Sequence, residues 1–254
     1  MKLALVTGGC RRIGGAIAAR LARSGYRLAL HGHGDTVPET ALAAVLDECG
    51  TDWAGFSCEL ADADAVEQLM PRVAAHFGAW PTLLVNNASL FEDDRVDTLT
   101  ANRLHRHHAV NLVAPALLGK ALAQAPTLAR PRVVINILDQ RIANPPTDQL
   151  SYTLSKLGLA SLTMIEAKAL APHVRVCGVA PGLTLPTADY SARQMERLAA
   201  DMPLGQLASP DDIARAVEYL AENDAVTGQI IYVDGGAHLR AFERDFVFMR
   251  QDEA

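Results

Sequence analysis

The stretch KLALVTGGCRRIGGAIAARLARSGYRLALH, residues 2–31, decides the fold. Its apolar opening, Lys2 to Thr7, reads as a buried strand. Gly8, Gly9, Cys10, Arg11, Arg12, Ile13 and Gly14 follow, and then an Ala-rich segment, Gly15 to Ser24, that predicts a helix stopped at Gly25. Tyr26 to His31 predicts a second strand. Strand, glycine loop, helix and strand make the opening of a βαβ unit. Glycines let a backbone approach a pyrophosphate, and a helix N-terminus favours its negative charge. A glycine pattern alone is weak; its position directly after a strand and before a helix carries the reading.

The same alternation continues outward. Strands are expected at Trp53 to Cys58, Thr82 to Asn86, Val133 to Leu138, Val174 to Val179 and Gln229 to Val233. Helices are expected at about Ala63 to Phe77, Thr100 to Gln124, around Tyr152, and Pro210 to Glu222. No Pro/Gly-rich linker divides the chain. The expectation is one α/β domain over residues 1–254, a doubly wound Rossmann-type parallel sheet flanked by helices.

Bulk composition narrows the function. The formal net charge of -6 argues against a nucleic-acid partner held by phosphate attraction. No apolar run approaches the roughly 18 residues of a membrane span. Cys10, Cys49, Cys58 and Cys177 have neither metal nor redox spacing and read as free thiols of a cytoplasmic protein. His105, Arg106, His107 and His108 lack a partnering Cys or carboxylate at ligand spacing, so a solvated or subunit-contact face is preferred and no metal is expected.

The chemistry is concentrated in VVINILDQRIANPPTDQLSYTLSK, residues 133–156. A buried strand delivers Asp139 to its carboxyl end, and a following helix carries Tyr152 and Lys156 four apart, on one face. A free phenol titrates near ~10, and a neighbouring ammonium stabilises its phenolate. Asp139, Tyr152 and Lys156 are a candidate proton-transfer site, and coupling between them forbids assigning a single pKa in advance. Any YxxxK on a helix is common, so the motif needs the rest of the chain.

Six motifs in order supply it: Thr7-Gly8-Gly9-x-x-x-Ile13-Gly14, Asn86-Asn87-Ala88, Asn111, Tyr152-x-x-x-Lys156, Pro181-Gly182 and Val233-Asp234-Gly235-Gly236. With these the chain resembles the short-chain dehydrogenase/reductase family over essentially its whole length. The resemblance implies an NAD(P)-dependent oxidoreductase in which Tyr152 is the acid. It implies that Lys156 binds the nicotinamide ribose and lowers the Tyr pKa, while Asn111 holds a water in a proton relay. It also implies a dinucleotide lying against Gly8, Arg11, Arg12, Ile13 and Gly14, past His31, His33 and Leu60, and on to Asn87, Ala88, Pro181 and Gly182. A homotetramer is implied as well.

The departures are more specific. Asp139 stands where the family has Ser, Arg12 where the glycine loop has Gly, and Ser89 where Gly follows Asn-Asn-Ala, with Phe91 two residues on. These resemble the pteridine reductases and the related bacterial dihydromonapterin reductases. The expected substrate is a 7,8-dihydropterin, reduced to the tetrahydropterin level, in tetrahydrobiopterin-type or folate metabolism. It would be met by Arg12, Ser89, Phe91, Asp139, Tyr152, Gly182 and Thr184. Phe91 reads either as core or as a stacking platform; its place past a strand's carboxyl end favours the platform. Ser89 and Thr184 are also ordinary turn residues. NADPH is expected over NADH, because Arg11 is a basic residue for a 2′-phosphate and the second strand ends in His31, Gly32 and His33 with no carboxylate until Asp35. The alternatives are a carbonyl reductase of the same family, with Asp139 merely replacing Ser, and a noncatalytic NADPH-binding protein. Residues 238–254, with Phe242, Phe246, Phe248 and Met249 among charges, read either as a frayed terminus or as a segment packed at a subunit interface.

Overall fold

In the computed structural model, which describes residues 2–126, 130–186 and 190–251, all seven expected strands form. They are β1 (Leu3–Val6), β2 (Arg27–Gly32), β3 (Trp53–Ser57), β4 (Leu83–Asn86), β5 (Arg132–Ile137), β6 (Val174–Pro181) and β7 (Ile230–Val233). They pair in the order β3-β2-β1-β4-β5-β6-β7, every neighbour parallel. The order reverses between β1 and β4, so a crevice opens beyond their carboxyl ends, where ligands bind in sheets of this kind.

The described residues form eight α-helices, α1 (Arg12–Arg23), α2 (Thr40–Glu48), α3 (Ala63–Phe77), α4 (Ala101–His108), α5 (Ala114–Ala123), α6 (Leu150–Ala169), α7 (Ala192–Asp201) and α8 (Pro210–Glu222), of which α1, α2 and α8 cover one face of the sheet and α3, α5 and α6 the other. The strand period of two sorts the core. Ala4 and Val6 point into one layer with Ile17, Leu46 and Val217, from α1, α2 and α8. Leu3 and Leu5 point into the other with Leu69, Leu118 and Ala167, from α3, α5 and α6. Both faces being covered explains why the inner strands read as nearly continuous apolar runs.

Helix ends follow local chemistry. Asp62 caps α3 by accepting from the N–H groups of Asp64 and Ala65. Ser209 and Asp212 form a capping box at the start of α8. Gly25, φ +77°, closes α1 as expected, with its N–H on the Ala22 carbonyl.

Two differences from the sequence reading, and the course of the C-terminal segment, bear on the site. Helices α2 and α7 were not expected; they are short, with only Leu42 and Leu46, and Gln194 and Leu198, buried. The expected helix from Thr100 to Gln124 is interrupted by a π-turn at Ala109–Val113 that holds the buried Asn111. The C-terminal segment, as far as Gln251, packs on its own chain. Phe246 is buried against Phe242, and the Gln194 side-chain amide reaches the carbonyls of Val247 and Met249 at 3.2 and 2.7 Å. No helix among the described residues is long and apolar enough to cross a membrane.

Candidate active site

The turn after β5 fixes Asp139. Its Oδ1 accepts the Arg141 N–H at 2.9 Å, making it the cap of a short 3-10 turn, Gln140–Ile142. That leaves Oδ2 to accept the Tyr152 hydroxyl at 2.9 Å. Tyr152 and Lys156 lie one turn apart near the start of α6, both buried. Gln149, at that helix's start, has φ +51° and makes no cap; Asp94 takes over by accepting the Ser151 N–H at 2.9 Å. Lys156 Nζ donates to the Ile137 carbonyl at 2.8 Å and lies 5.6 Å from the Tyr152 ring centre.

The electrostatics differ from the expectation that Lys156 lowers the Tyr152 pKa. Burial and then the Asp139 carboxylate push the Tyr152 phenol well above its ordinary range. Burial instead lowers the Lys156 ammonium to about 8, with Asp139 opposing and Arg141 assisting. The raised phenol keeps its proton and donates it to Asp139 Oδ2.

Asn111 has no side-chain donor left to hold a relay water, because its protein partners use them all. Its Nδ2 donates to the Leu90 carbonyl and to Ser155 Oγ, both at 2.9 Å, and its Oδ1 accepts the Leu90 N–H at 2.8 Å. Asn111 thus ties the segment after β4 to α6. Ser89 leans the same way, with Oγ 3.2 Å from Asn111 Oδ1, and Thr184 Oγ donates to the Gly182 carbonyl at 2.9 Å.

Two cavities meet the carboxyl edge of the sheet. One, of about 650 Å³, is bordered by Gly8, Arg11, His31, Asp35, Leu60 and Ala88. The other, of about 840 Å³, is bordered by Arg12, Phe91, Asp139, Gly182, Asp245 and Phe248. His33 and Ser89 also face the first, and Ile13 and Thr184 the second. The adjacent Arg11 and Arg12 therefore serve different cavities. Arg12 holds φ +53°, a left-handed backbone that disfavours side chains, in a position that suits glycine. Gly14 admits nothing larger, since a Cβ there would lie 2.0 Å from the Gly8 carbonyl oxygen.

The supporting groups are equally specific. Asn87 Nδ2 donates to the carbonyls of Thr7 and Gly8 at 2.9 and 3.1 Å, pinning the glycine loop. His31 is buried with both ring nitrogens engaged, which makes it a brace for the loop rather than a phosphate ligand. Asp35 turns its carboxylate onto the Val37 N–H at 2.9 Å, and His33 pairs with Glu59 at 3.2 Å. His107 donates to the Arg103 carbonyl and accepts the Glu92 N–H, and His108 bonds the Leu104 carbonyl. Pro181 ends β6 beside Gly182, where a Cβ would lie 2.8 Å from Asp234. Phe91, half-exposed, meets Tyr152 edge-to-face at 4.7 Å between ring centres, its open face on the second cavity.

Sequence reasoning passed over Arg141, Gln149 and Asp245. The signal for Arg141 was its place two residues after Asp139, within a turn. Nothing in the sequence ties Asp245, 104 residues further on, to it.

A fold with this strand order, glycine loop and Tyr–Lys pair defines an oxidoreductase class. The chain belongs to the short-chain dehydrogenase/reductase family: a family model described as enoyl-(acyl carrier protein) reductase matches residues 9–238. Among curated relatives, the 3-oxoacyl-[acyl-carrier-protein] reductase FabG of Staphylococcus aureus is 30% identical, over 94% of this chain and 98% of the relative. The Escherichia coli FabG is also 30% identical, with the same coverage. Among solved structures, FolM alternative dihydrofolate reductase 1 from Brucella canis, complexed with NADP, superposes with a TM-score of 0.86. It is 37% identical, over 96% of each chain. The Brucella suis FolM, also with NADP, gives 0.85 at 36% identity, over 97% of this chain and 98% of that one.

Proposed function

We propose that this protein is an NADPH-dependent pteridine reductase, reducing a 7,8-dihydropterin to the tetrahydropterin. The observation that carries the reading is the Asp139 carboxylate accepting the Tyr152 hydroxyl at the floor of a cavity that Phe91 borders. The resemblance to the Brucella FolM structures supports it, as does their NADP.

The crevice fits the cofactor. Gly14 lets the start of α1 lie directly against Gly8, Arg11 stands at the first cavity for a 2′-phosphate, and Asp35 is engaged within its own loop. Gly8, Ile13, Leu60, Ala88 and Gly182 would border the dinucleotide, and Lys156 its nicotinamide ribose. When bound, the reduced nicotinamide supplies hydride. The chain's own residues manage the proton. A C=N bond that gains hydride at carbon must gain a proton at nitrogen. Tyr152 Oη holds one there, and Asp139 is the second titratable group, partly open to the cavity, through which that proton is replaced. A Ser at position 139 could orient the phenol but could not relay the proton in this way. Phe91 offers a face for the flat bicycle, and Arg12 a planar donor fork for its carbonyl edge.

Exposed apolar side chains on α6 and the π-turn, Val113, Met164 and Ile165, fit an assembly of several copies, which we take to be a homotetramer.

The test is cofactor oxidation with dihydrobiopterin, dihydromonapterin and dihydrofolate against a panel of ketones and 3-oxoacyl thioesters, for wild type and Asp139→Ser. Pterin turnover that falls about 10²-fold in Asp139→Ser is expected. The FabG likeness favours the second reading, a 3-oxoacyl or ketone reductase. Ketone turnover without pterin turnover by the wild type would establish that reading instead.

A further inference from the structure

Closest to the Asp139–Tyr152 pair stands a cation that the reaction outlined above does not use. Arg141, 4% exposed, has its Nε 3.2 Å from Asp139 Oδ1. Its Nη2 pairs with Asp245, and its Nη1 donates to Gln149 Oε1 at 3.1 Å and Thr153 Oγ1 at 3.3 Å. The guanidinium carbon lies 4.8 Å from the Tyr152 ring centre and 5.7 Å from that of Phe91. Arg141 Nε–H is not aligned for a hydrogen bond, so the attraction to Asp139 is one of charge. Asp245 is itself held. Its N–H donates to Asp148 Oδ1 and its Oδ1 accepts the Val247 N–H, both at 2.9 Å.

Three elements thus converge on one buried cation: the turn after β5, the start of α6 and the C-terminal segment. Packing alone does not require this. A buried ion pair is often no more stabilising than apolar groups of the same volume, though losing one partner is costly. The arrangement does set the field at the proton-transfer pair. The Asp139 and Asp245 carboxylates contribute to holding the guanidinium charged against its burial.

We infer that Arg141 and Asp245 are positioning residues of the reaction, the C-terminal Asp245 holding the Arg141 guanidinium against Asp139 so that Asp139 stays oriented to accept the Tyr152 hydroxyl. The inference rests on the Asp139–Tyr152 reading above. It makes the C-terminal segment part of its own chain's active site.

The titratable and charged groups around Asp139 are Arg141 from its own turn, Tyr152 and Lys156 from α6 and Asp245 from the C-terminal segment, with Arg12 bordering the same cavity. Arg141 and Asp245 act on the Tyr152 proton with opposite sign. Contacts that merely hold the fold together would lower activity in either variant and move no titration.

The experiment compares Arg141→Met, Arg141→Lys and Asp245→Asn in the full chain. Profiles of kcat/KM against pH are recorded with the dihydropterin. The Lys156 titration is followed by carbon-13 NMR of labelled lysine, assigned with Lys156→Arg. Arg141→Met should move the alkaline limb up, and Asp245→Asn should move it down, by about one pH unit each. Arg141→Met should also lose about tenfold or more in kcat, with the smaller effect on KM. It should raise the Lys156 midpoint above its value of about 8. Arg141→Lys, which keeps the charge, should restore most of the limb's position. Asp245→Asn is close to isosteric and carries the comparison if Arg141→Met folds poorly. Alkaline limbs that stay in place in folded variants, or a Lys156 midpoint unmoved in Arg141→Met, would overturn the inference. The Lys156 readout needs no substrate, so it decides even if the pterin reading itself fails.

Discussion

The buried His31 imidazole accepts the Gly8 N–H through Nδ1 at 3.2 Å, while its Nε2–H donates to the Cys58 carbonyl at 2.9 Å. One ring thereby joins the end of β2 to the glycine loop after β1 and to the loop after β3. Only the neutral imidazole can do this, because Nδ1 must keep its lone pair. Burial is the main cause that holds the His31 pKa below its ordinary value.

The sign of the resulting pH dependence follows. The unfolded chain takes up the His31 proton at a higher pH than the folded one, so stability is complete above about 6.5 and falls as pH drops toward the folded pKa. His31→Phe should lose about 1–2 kcal/mol near neutrality, from two unmade hydrogen bonds. It should also flatten the acid side of the profile. Denaturant melts between about pH 5 and pH 8 check both; an unchanged acid slope in His31→Phe would contradict this account.

Lys156 gives a second pH signature. Its ammonium, lowered to about 8 by burial, is half-deprotonated in the free protein at about that pH. If Lys156 holds the nicotinamide ribose as a cation, cofactor affinity declines as pH rises through about 8. Lys156→Arg, charged throughout, should bind more weakly but without that decline. Fluorescence titration with the reduced cofactor across the range measures it.

The legibility of the chain was uneven. The inner strands were readable because both sheet faces are covered there, which leaves runs such as Leu3–Val6 and Arg132–Ile137 nearly free of interruption. Asp139, Tyr152 and Lys156 were readable because turn and helix spacing place them within a short stretch of chain. The break in the helix at Asn111 was not readable, since AVNLV has no local signal for a π-turn; its cause is the tertiary bonding of Asn111 to Leu90 and Ser155. Nor was the direction of the Tyr152 pKa. Sequence places the lysine near it but shows neither the depth of burial nor the Asp139 carboxylate on its hydroxyl, the two largest causes of the rise. The contact between Asp245 and Arg141 spans most of the second half of the chain, beyond any periodicity.

Arg11 tests the cofactor preference. It is exposed, with an extended φ of -157° at the cap of α1, and borders the cavity that β2's end closes. Asp35, the nearest carboxylate after β2, is turned onto its own loop. Arg11→Ala should therefore reduce the preference for NADPH over NADH by about tenfold or more in kcat/KM, chiefly through KM. Arg12→Ala, on the other cavity, should leave that ratio nearly unchanged and weaken the pterin instead. Equal losses with both cofactors in Arg11→Ala would remove the 2′-phosphate assignment.

Glu166 is a stability defect that pH should expose. It lies on α6 against α5, so close to Gly119 that a Cβ there would sit 2.9 Å from its Oε1, and its Oε2 has no hydrogen-bond partner. Burial raises its pKa from 4.5 to about 7. The folded protein thus favours the protonated acid, and the unfolded chain gives up that proton earlier. Stability contributed by this group is present below about 4.5, is lost as pH rises to about 7, and stays lost above. Glu166→Gln keeps the shape and removes the charge. It should match the wild type near pH 4 and exceed it by roughly 1–3 kcal/mol near pH 8, raising Tm by several degrees. Gel filtration at each pH should accompany the melts, because α6 also carries the exposed Met164 and Ile165. A variant no more stable than wild type at pH 8, with the same oligomeric state, would mean that Glu166 finds a cationic partner across a subunit contact.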